Sequence, residues 1–468
     1  MFGPRAALPA IQMRKPPKMS ARRELLDLID KEDVYDAPPP DLNAMRLQAA
    51  RELFAERREQ IPVLKRRAQE TGVDEIRSFA DLVPLLFAHT VYKSYPTALV
   101  EKGRWDRLLQ WLQNLSVQDV SNTDVEGVVD VDDWISRLRA AGHLVLATSG
   151  SSGKVSFLNQ TVGDREGKKR HFTRTMGWPF VKPNADRPYF ALGPSRGFNS
   201  AIEAQQIQAE IWGRPDAIYF LTDEPLLIRE VSAMAALRKR MADGEATPSE
   251  IKQAEEAGAA KGARMNAALD QMAETILAHR HEPIVLGALW AQHMMIIEKA
   301  RALGVEDGAF HPDSLIMAGG GVKGVALPPD YKERVDAFYG NVVRPGGYGM
   351  TEMAQRLPRC EAKRYHVPPG LIPLLLDRPG ETLQNADGSY EGVIEGRFAF
   401  LDLLYEGRWG GLISGDKVQV DFGHHCPCGR PGHTVLDTIT RYSAQPGEDD
   451  HIGCAGTIDA YVRGEMAA

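Results

Sequence analysis

Thr148-Ser149-Gly150-Ser151-Ser152-Gly153-Lys154 follows the apolar run Leu144-Val145-Leu146-Ala147, and its residue types are those that hold a polyphosphate. A buried strand that opens into small residues, hydroxyls and a lysine offers backbone N–H groups and a positive charge to phosphate oxygens. Flexible surface turns share this composition, so the loop alone leaves both readings open. A Walker A loop is excluded, because that motif needs four residues between its first glycine and the Gly-Lys pair, and Gly150 and Gly153 are separated by two.

Two further segments lie downstream: Gly347-Tyr348-Gly349-Met350-Thr351-Glu352, then Ile413-Ser414-Gly415-Asp416-Lys417. In this order the three resemble the signature segments of the adenylate-forming (acyl-CoA synthetase) superfamily: a Ser/Thr/Gly-rich phosphate loop, an aromatic-Gly-x-Thr-Glu segment and a ribose-binding Gly-Asp. The resemblance starts near Leu144, and residues 1–140 carry none of it. It implies an α/β fold, the large N-terminal domain of adenylate-forming enzymes, with doubly wound α/β layers and a small β subdomain.

The implied reaction explains the residue types. Activating a carboxylate by attack on the α-phosphate of ATP requires polyphosphate charge to be neutralised while two anions are oriented toward each other. Thr148, Ser149, Ser151, Ser152 and Lys154 are suited to the β- and γ-phosphates, with Gly150 and Gly153 admitting close approach. Glu352 is the natural magnesium ligand, a hard oxygen donor that shares the cation with phosphate oxygens. By resemblance, Thr351 approaches the α-phosphate, Tyr348 lies along the adenine beside Gly349 and Met350, and Asp416 accepts from both ribose hydroxyls. Alone, Asp416 in Ser-Gly-Asp-Lys also reads as an ordinary hairpin-turn residue.

Gly319, Gly321 and Gly324 satisfy a G-x-G-x-x-G pattern after the run Leu315-Ile316-Met317-Ala318. A dinucleotide fingerprint should open a helix, and Val325-Ala326-Leu327-Pro328-Pro329 is a poor helix start. The resemblance implies instead that Gly319, Gly320 and Gly321 form a wall for the purine.

Only four cysteines occur, Cys360, Cys426, Cys428 and Cys454, which with no apolar leader reads as a reduced, cytoplasmic protein. Cys360 and His366 bracket a short segment, and His424-His425-Cys426-Pro427-Cys428-Gly429 forms a Cys-x-Cys knuckle. Three thiolates and one imidazole make a closed tetrahedral site for structural zinc. The knuckle with Arg430 resembles the phenylacetate-CoA ligase branch of the superfamily, some members of which carry such a zinc. Unrelated buried thiols are the other reading, and His424 or His425 competes with His366 as fourth ligand.

Past Thr440 the chain runs only from Arg441 to Ala468, too short for the mobile lid, with its catalytic lysine, that superfamily members normally carry. Lys154, Lys323, Lys417 or Arg441 is left to serve in that lysine's place, or a partner to complete the site. Arg441 is the choice for the hinge-type arginine that touches ribose or phosphate, with Arg430 as the alternative. The ending Ile452-Gly453-Cys454-Ala455-Gly456 resembles the acyl-protein synthetases of bacterial luminescence, lidless members whose terminal cysteine takes the acyl group. Cys454 is then a nucleophile that needs a lowered thiol pKa, or else a small buried hydrophobe.

With 468 residues, 43% of them hydrophobic, the chain can bury a large core, and its net charge of −7 gives no electrostatic case for nucleic acid. No apolar run reaches the length of a membrane span, and Met1 to Ser20 reads as a loose basic arm. The expected organisation is a mainly helical region over 1–140, an α/β nucleotide- and acid-binding region over 141–388, a β subdomain over 389–440 and a short tail over 441–468. Helix is expected from Asp41 to Glu70, with Asp41 as cap. A charged helical stretch over Glu230 to Arg280 is expected to break at Asp243-Gly244 and restart at Thr247-Pro248-Ser249-Glu250. Strands are expected at Leu144 to Ala147, Tyr189 to Leu192, Ala217 to Leu221, Pro283 to Leu286 and Ser314 to Ala318, then at Val393 to Phe400, Gly411 to Ile413 and Lys417 to Phe422.

The acid should sit between the α/β layer and the purine wall, lined by Phe198 with Asn199 and Ser200, by Trp290 to His293, and by Gly347. Core packing is the competing fate of Trp290, and a structural role that of His293. The sequence thus points to an AMP-forming carboxylate ligase using ATP and Mg2+, with coenzyme A favoured as acceptor. Acyl transfer through Cys454 to a partner protein such as a reductase is the alternative. A degenerate binding or scaffolding protein is the reading from another class, and a homodimer stays open.

Overall fold

Four of the expected strands pair as one parallel sheet, in the spatial order Gly213–Thr222, Arg187–Pro194, Val285–Leu289, Leu315–Gly319. The computed structural model of the chain describes residues 20–148, 154–319, 326–444 and 452. Apolar runs bury Arg187–Pro194 most fully, whereas Gly213–Thr222 is an edge strand and stays partly exposed. Phe190, Leu192, Leu286 and Ile316 pack under the helices Pro248–Ala278, Trp290–Ala302 and Tyr331–Tyr339. Tyr189, Ala191, Val285 and Leu315 face Val162–Thr175 and Ser200–Trp212. Side-chain alternation along the strands therefore divides two helical layers, and the fold is mixed α/β and doubly wound as expected.

Leu144 to Ala147 departs from the expectation. Leu146–Ala147 pairs antiparallel with Phe157–Leu158 in a separate two-stranded sheet. The reason lies in packing: Val145, Ala147, Val155, Phe157 and Leu158 all belong to the core that contains Tyr95, Trp111 and Trp134 of the helical region. The hydroxyl and glycine loop thus leaves one strand of this pair and returns into the other.

The second main sheet runs Arg364–His366, Thr434–Leu436, Gly411–Asp421, Val393–Asp402, Leu371–Leu376, all antiparallel. Phe87–Ala88 and Thr440–Arg441 also pair with the Gly411–Asp421 strand, the first in parallel. The two strands expected on either side of Ser414-Gly415-Asp416 are one continuous strand, which removes the hairpin-turn reading of Asp416. The register explains this: Arg397 pairs with Lys417 and Ala399 with Ile413, so three residues, Ser414 to Asp416, lie opposite Phe398 alone. Such a bulge bends a strand and re-aims a side chain while the ladder continues.

The helix expected from Asp41 is two, Leu42–Gln60 and Pro62–Thr71, because Ile61 before the proline is extended (φ −110°, ψ 108°). Asp41 stands at the cap position without a side-chain hydrogen bond. Helices Ile228–Ala242 and Pro248–Ala278 flank the expected break, and Thr247 and Glu250 form the expected capping box.

One buried carboxylate ties the antiparallel sheet to the segment that follows Glu352. Asp402 accepts from the backbone N–H groups of Ala354 (2.8 Å), Gln355 (3.0 Å) and Leu404 (3.1 Å) and from Gln355 Nε2 (2.8 Å). Gly410 lies against it, where an added Cβ would stand 2.1 Å from the Asp402 carbonyl oxygen. Removing this acceptor strands several buried donors, so Asp402→Ala is expected to lower stability by about 3 kcal/mol or more. Urea unfolding checks this, and an unchanged midpoint contradicts it.

Candidate active site

Asp416 is buried at the bulge and holds two partners. Tyr348 Oη donates to its Oδ2 at 2.8 Å, and Arg441 Nε pairs with its Oδ1 at 3.2 Å. The Tyr348 ring is fixed from behind by Phe398, edge-on at 5.2 Å, and by Tyr365 at 6.0 Å. Burial, reinforced by the neighbouring carboxylate, pushes the phenol well above its ordinary range, so it stays a donor. Two segments far apart in sequence thus meet through one carboxylate. Arg430, the alternative to Arg441, lies elsewhere, stacked over Trp178 at 4.7 Å and paired with Glu361 and Asp36.

A second chain of contacts leads from Thr351 toward the hydroxyl and glycine loop. Thr351 Oγ1 and Ser200 Oγ are 2.8 Å apart, and Ser200 opens the helix capped by Asn199, whose Oδ1 accepts from Ala201 N at 2.8 Å. Asn199 Nδ2 donates to the Ala147 carbonyl at 3.3 Å, and the Ala147 N–H donates to the Phe198 carbonyl at 2.7 Å. Thr148 follows, exchanging bonds with Ser156: its N–H donates to the Ser156 carbonyl at 3.1 Å, and its Oγ1 accepts from the Ser156 N–H at 3.0 Å. Lys154, at the loop's far end, donates to the Tyr95 carbonyl and holds its ammonium 4.3 Å from the Tyr95 ring centre. Ser149, Gly150, Ser151, Ser152, Gly153, Gly320, Gly321 and Cys454 lie outside the described residues. Gly319 ends its strand, and an added Cβ there would meet nothing within 4 Å among the described residues.

Glu352 is partly buried, and desolvation raises its carboxyl above the ordinary range, with Arg408, Arg441 and Lys93 pulling the other way. Arg408 is the neighbour that sequence reasoning missed. It is buried, donates to the carbonyls of Glu352 (3.2 Å) and Asn159 (2.9 Å), and lies 3.7 Å over the Tyr405 ring. Asp164 positions the turn before it, accepting from the N–H groups of Glu406 (2.6 Å) and Gly407 (3.1 Å). Glu406-Gly407-Arg408 carries no pattern by which sequence could have found it.

The residues expected to line an acid pocket each have contacts of their own. Phe198 lies under the Arg139 guanidinium at 5.4 Å, Trp290 is edge-on to Tyr331 at 5.3 Å, and the Gly347 carbonyl accepts from Arg356 Nη2 at 3.3 Å. Among the described residues no hydrogen bond or ring contact joins these three. His293 is fully buried, with Nδ1 2.9 Å from Tyr339 Oη and Nε2 3.4 Å from the Met317 carbonyl oxygen. Burial draws its pKa down to about 4, and these contacts tie the Leu315–Gly319 strand to the Tyr331–Tyr339 helix.

Cys360, His366, Cys426 and Cys428 come together, with their four ligand atoms all within 4.8 Å of one another. Cys360 and Cys426 sulfurs are 3.8 Å apart, and Cys428 Sγ is 3.5 Å from His366 Nε2. The competing histidines stand outside: His424 is exposed and pairs with Glu391 at 2.7 Å, and His425 bridges to Pro431.

No family model matches the chain, and no curated protein matches it. Among solved structures it is similar to ATP-bound MatB from Rhodopseudomonas palustris, at 13% identity and a TM-score of 0.35. That match covers 62% of this chain and 47% of that one, about half of the neighbour's length. Among the described residues no helix is long and apolar enough to cross a membrane.

A carboxyl whose folded pKa is raised gives up its proton at higher pH in the native state than in the unfolded one, so its ionisation costs stability as pH rises. Glu352→Gln is therefore expected to match the parent protein near pH 4 and to melt at a higher temperature near pH 7. Thermal unfolding at both pH values checks this, and a lower melting temperature at neutral pH contradicts it.

Proposed function

We propose that this chain activates a carboxylic acid as its adenylate, using ATP and Mg2+, and passes the acyl group to a thiol, with coenzyme A as acceptor. The observation that carries the reading is the junction at Asp416, where Tyr348 of the aromatic-Gly-x-Thr-Glu segment and Arg441 meet one carboxylate. A carboxylate has two oxygens and a ribose diol two donors, so Asp416 would exchange its present partners for the sugar. Thr351, joined to Ser200, would donate at the α-phosphate. Glu352 would hold the magnesium, its raised carboxyl driven to ionise by the cation. The 148–154 loop would neutralise the β- and γ-phosphates, the glycines from Gly319 would face the adenine, and Phe198, Trp290 and Gly347 would border the acid. Arg408, fixed behind Glu352, supplies positive charge where the site gathers anions.

The cysteine and histidine cluster fits structural zinc. With Zn–S near 2.3 Å and Zn–N near 2.0 Å, a regular tetrahedron has edges of about 3.8 Å between sulfurs and about 3.5 Å between sulfur and nitrogen. The separations of 3.8 Å and 3.5 Å match these edges. A metal there would pin the segment after Glu352 to the sheet that bears Asp416, and its chemistry would be structural.

The test is incubation with ATP, Mg2+, coenzyme A and a panel of radiolabelled carboxylic acids. The protein is expected to release AMP and form an acyl-CoA with at least one acid, and Asp416→Ala and Thr351→Ala each to slow this by about 100-fold. ATP bound without AMP from any acid contradicts the reading. Label retained on the protein and lost in Cys454→Ala would move the acceptor from coenzyme A to that cysteine. For the metal, Cys426→Ser combined with Cys428→Ser is expected to lose about one equivalent of zinc by elemental analysis.

A further inference from the structure

A cavity whose lining includes none of Asp416, Tyr348 and Arg441 lies between the antiparallel sheet and the segment that leads into the Leu42–Gln60 helix. Its volume of about 760 Å³ is in the range of small-molecule sites. Ile372, Leu374, Phe398 and Val420 give it an apolar wall from the sheet, and Tyr35 and Arg46 face them from the helical side.

Arg46 is the unusual member. It is buried at 7% exposure, and no carboxylate pairs with it among the described residues. Its hydrogen bonds go to neutral oxygens: Nε to the Pro369 carbonyl (3.1 Å), Nη2 to the Pro368 carbonyl (2.8 Å) and Nη1 to Asn43 Oδ1 (3.4 Å). A guanidinium has five N–H donors, so two have no acceptor among the described residues. Burial draws Arg46 down only to about 10, which leaves it charged at neutral pH. Asp41 and Asp387, the acids of the cavity lining, are solvent-exposed. Tyr35 is also buried, within electrostatic range of Arg46, and its hydroxyl has no hydrogen-bond partner among the described residues. Its ring is held by Trp178 at 4.7 Å, and it shares the cavity lining with Arg46. A buried cation without an anion costs several kcal/mol, and an anionic ligand offsets that cost.

We infer that this cavity binds an amphipathic monocarboxylate, its carboxylate received by Arg46 and Tyr35 and its hydrocarbon body by the apolar face of the sheet. The inference does not rest on the proposed ligase reaction. Phe398 belongs to both places, lining this cavity and packing against Tyr348, so the two sites share a wall.

The test is calorimetric titration of the full chain with decanoate in the absence of nucleotide. One saturable site is expected, with decanol binding at least about 10-fold more weakly, because a hydrogen bond to a charged group is worth about 1.5–3 kcal/mol. Tyr35→Phe keeps the ring and its packing and is expected to weaken decanoate about 10-fold, and Arg46→Met to abolish it. Trp290→Ala is expected to leave decanoate binding unchanged, which separates this cavity from the proposed acid pocket bordered by Phe198, Trp290 and Gly347. No saturable binding, equal affinity for decanol, or wild-type affinity in Tyr35→Phe overturns the inference even if Arg46→Met fails to fold.

Discussion

The structure around the candidate site depends on where carboxylates can be buried and still be satisfied. Asp416 sits inside a central strand, at a place where three residues face one on the Val393–Asp402 side, with Arg441 as its register partner on the other side and Tyr348 bonded to its second oxygen. Without these partners a buried carboxylate would carry a desolvation penalty of several kcal/mol. With them it becomes the point at which the strand, the aromatic-Gly-x-Thr-Glu segment and the chain beyond Thr440 are held in register.

Two more buried acids set the rest of the geometry by the same means. Asp402 gathers the amides of Ala354 and Gln355 just behind Glu352, and Asp164 gathers those of Glu406 and Gly407 just ahead of Arg408. Lys168 and Glu203 form a buried pair at 2.9 Å that joins the Val162–Thr175 and Ser200–Trp212 helices, and so fixes the helix start that carries Ser200 to Thr351. Each of these acids accepts hydrogen bonds from N–H groups of segments remote in sequence. The side chains of the candidate site are therefore held by a backbone that has little freedom to shift.

What the sequence made legible and what it hid follow from the range of the forces involved. The strands at Tyr189, Ala217, Pro283 and Ser314 were readable from their short apolar runs, and the Thr247 and Glu250 capping box because its partners are three residues apart. The Cys-x-Cys knuckle was readable because its spacing is local, whereas the choice of His366 over His424 and His425 needed the fold. Leu144 to Ala147 looked like a sheet strand by composition, and only competition for the core around Trp111 and Trp134 draws it into a separate pair. Arg408 and the Phe87–Ala88 strand left no local pattern, since each is defined by contacts across hundreds of residues, and the in-strand setting of Asp416 is defined by its pairing with the Val393–Asp402 and Thr440–Arg441 strands.

The central claim is that the hydroxyl and glycine loop, the Tyr348 to Glu352 segment and Asp416 grip one nucleotide together. A crystal structure of the protein with a nonhydrolysable ATP analogue and Mg2+ tests it most directly. The account predicts the ribose hydroxyls on Asp416, the metal on Glu352 and the terminal phosphates at the loop between Thr148 and Lys154. An analogue bound elsewhere, or bound with Asp416 still closed on Tyr348 and Arg441 and away from the sugar, would contradict it.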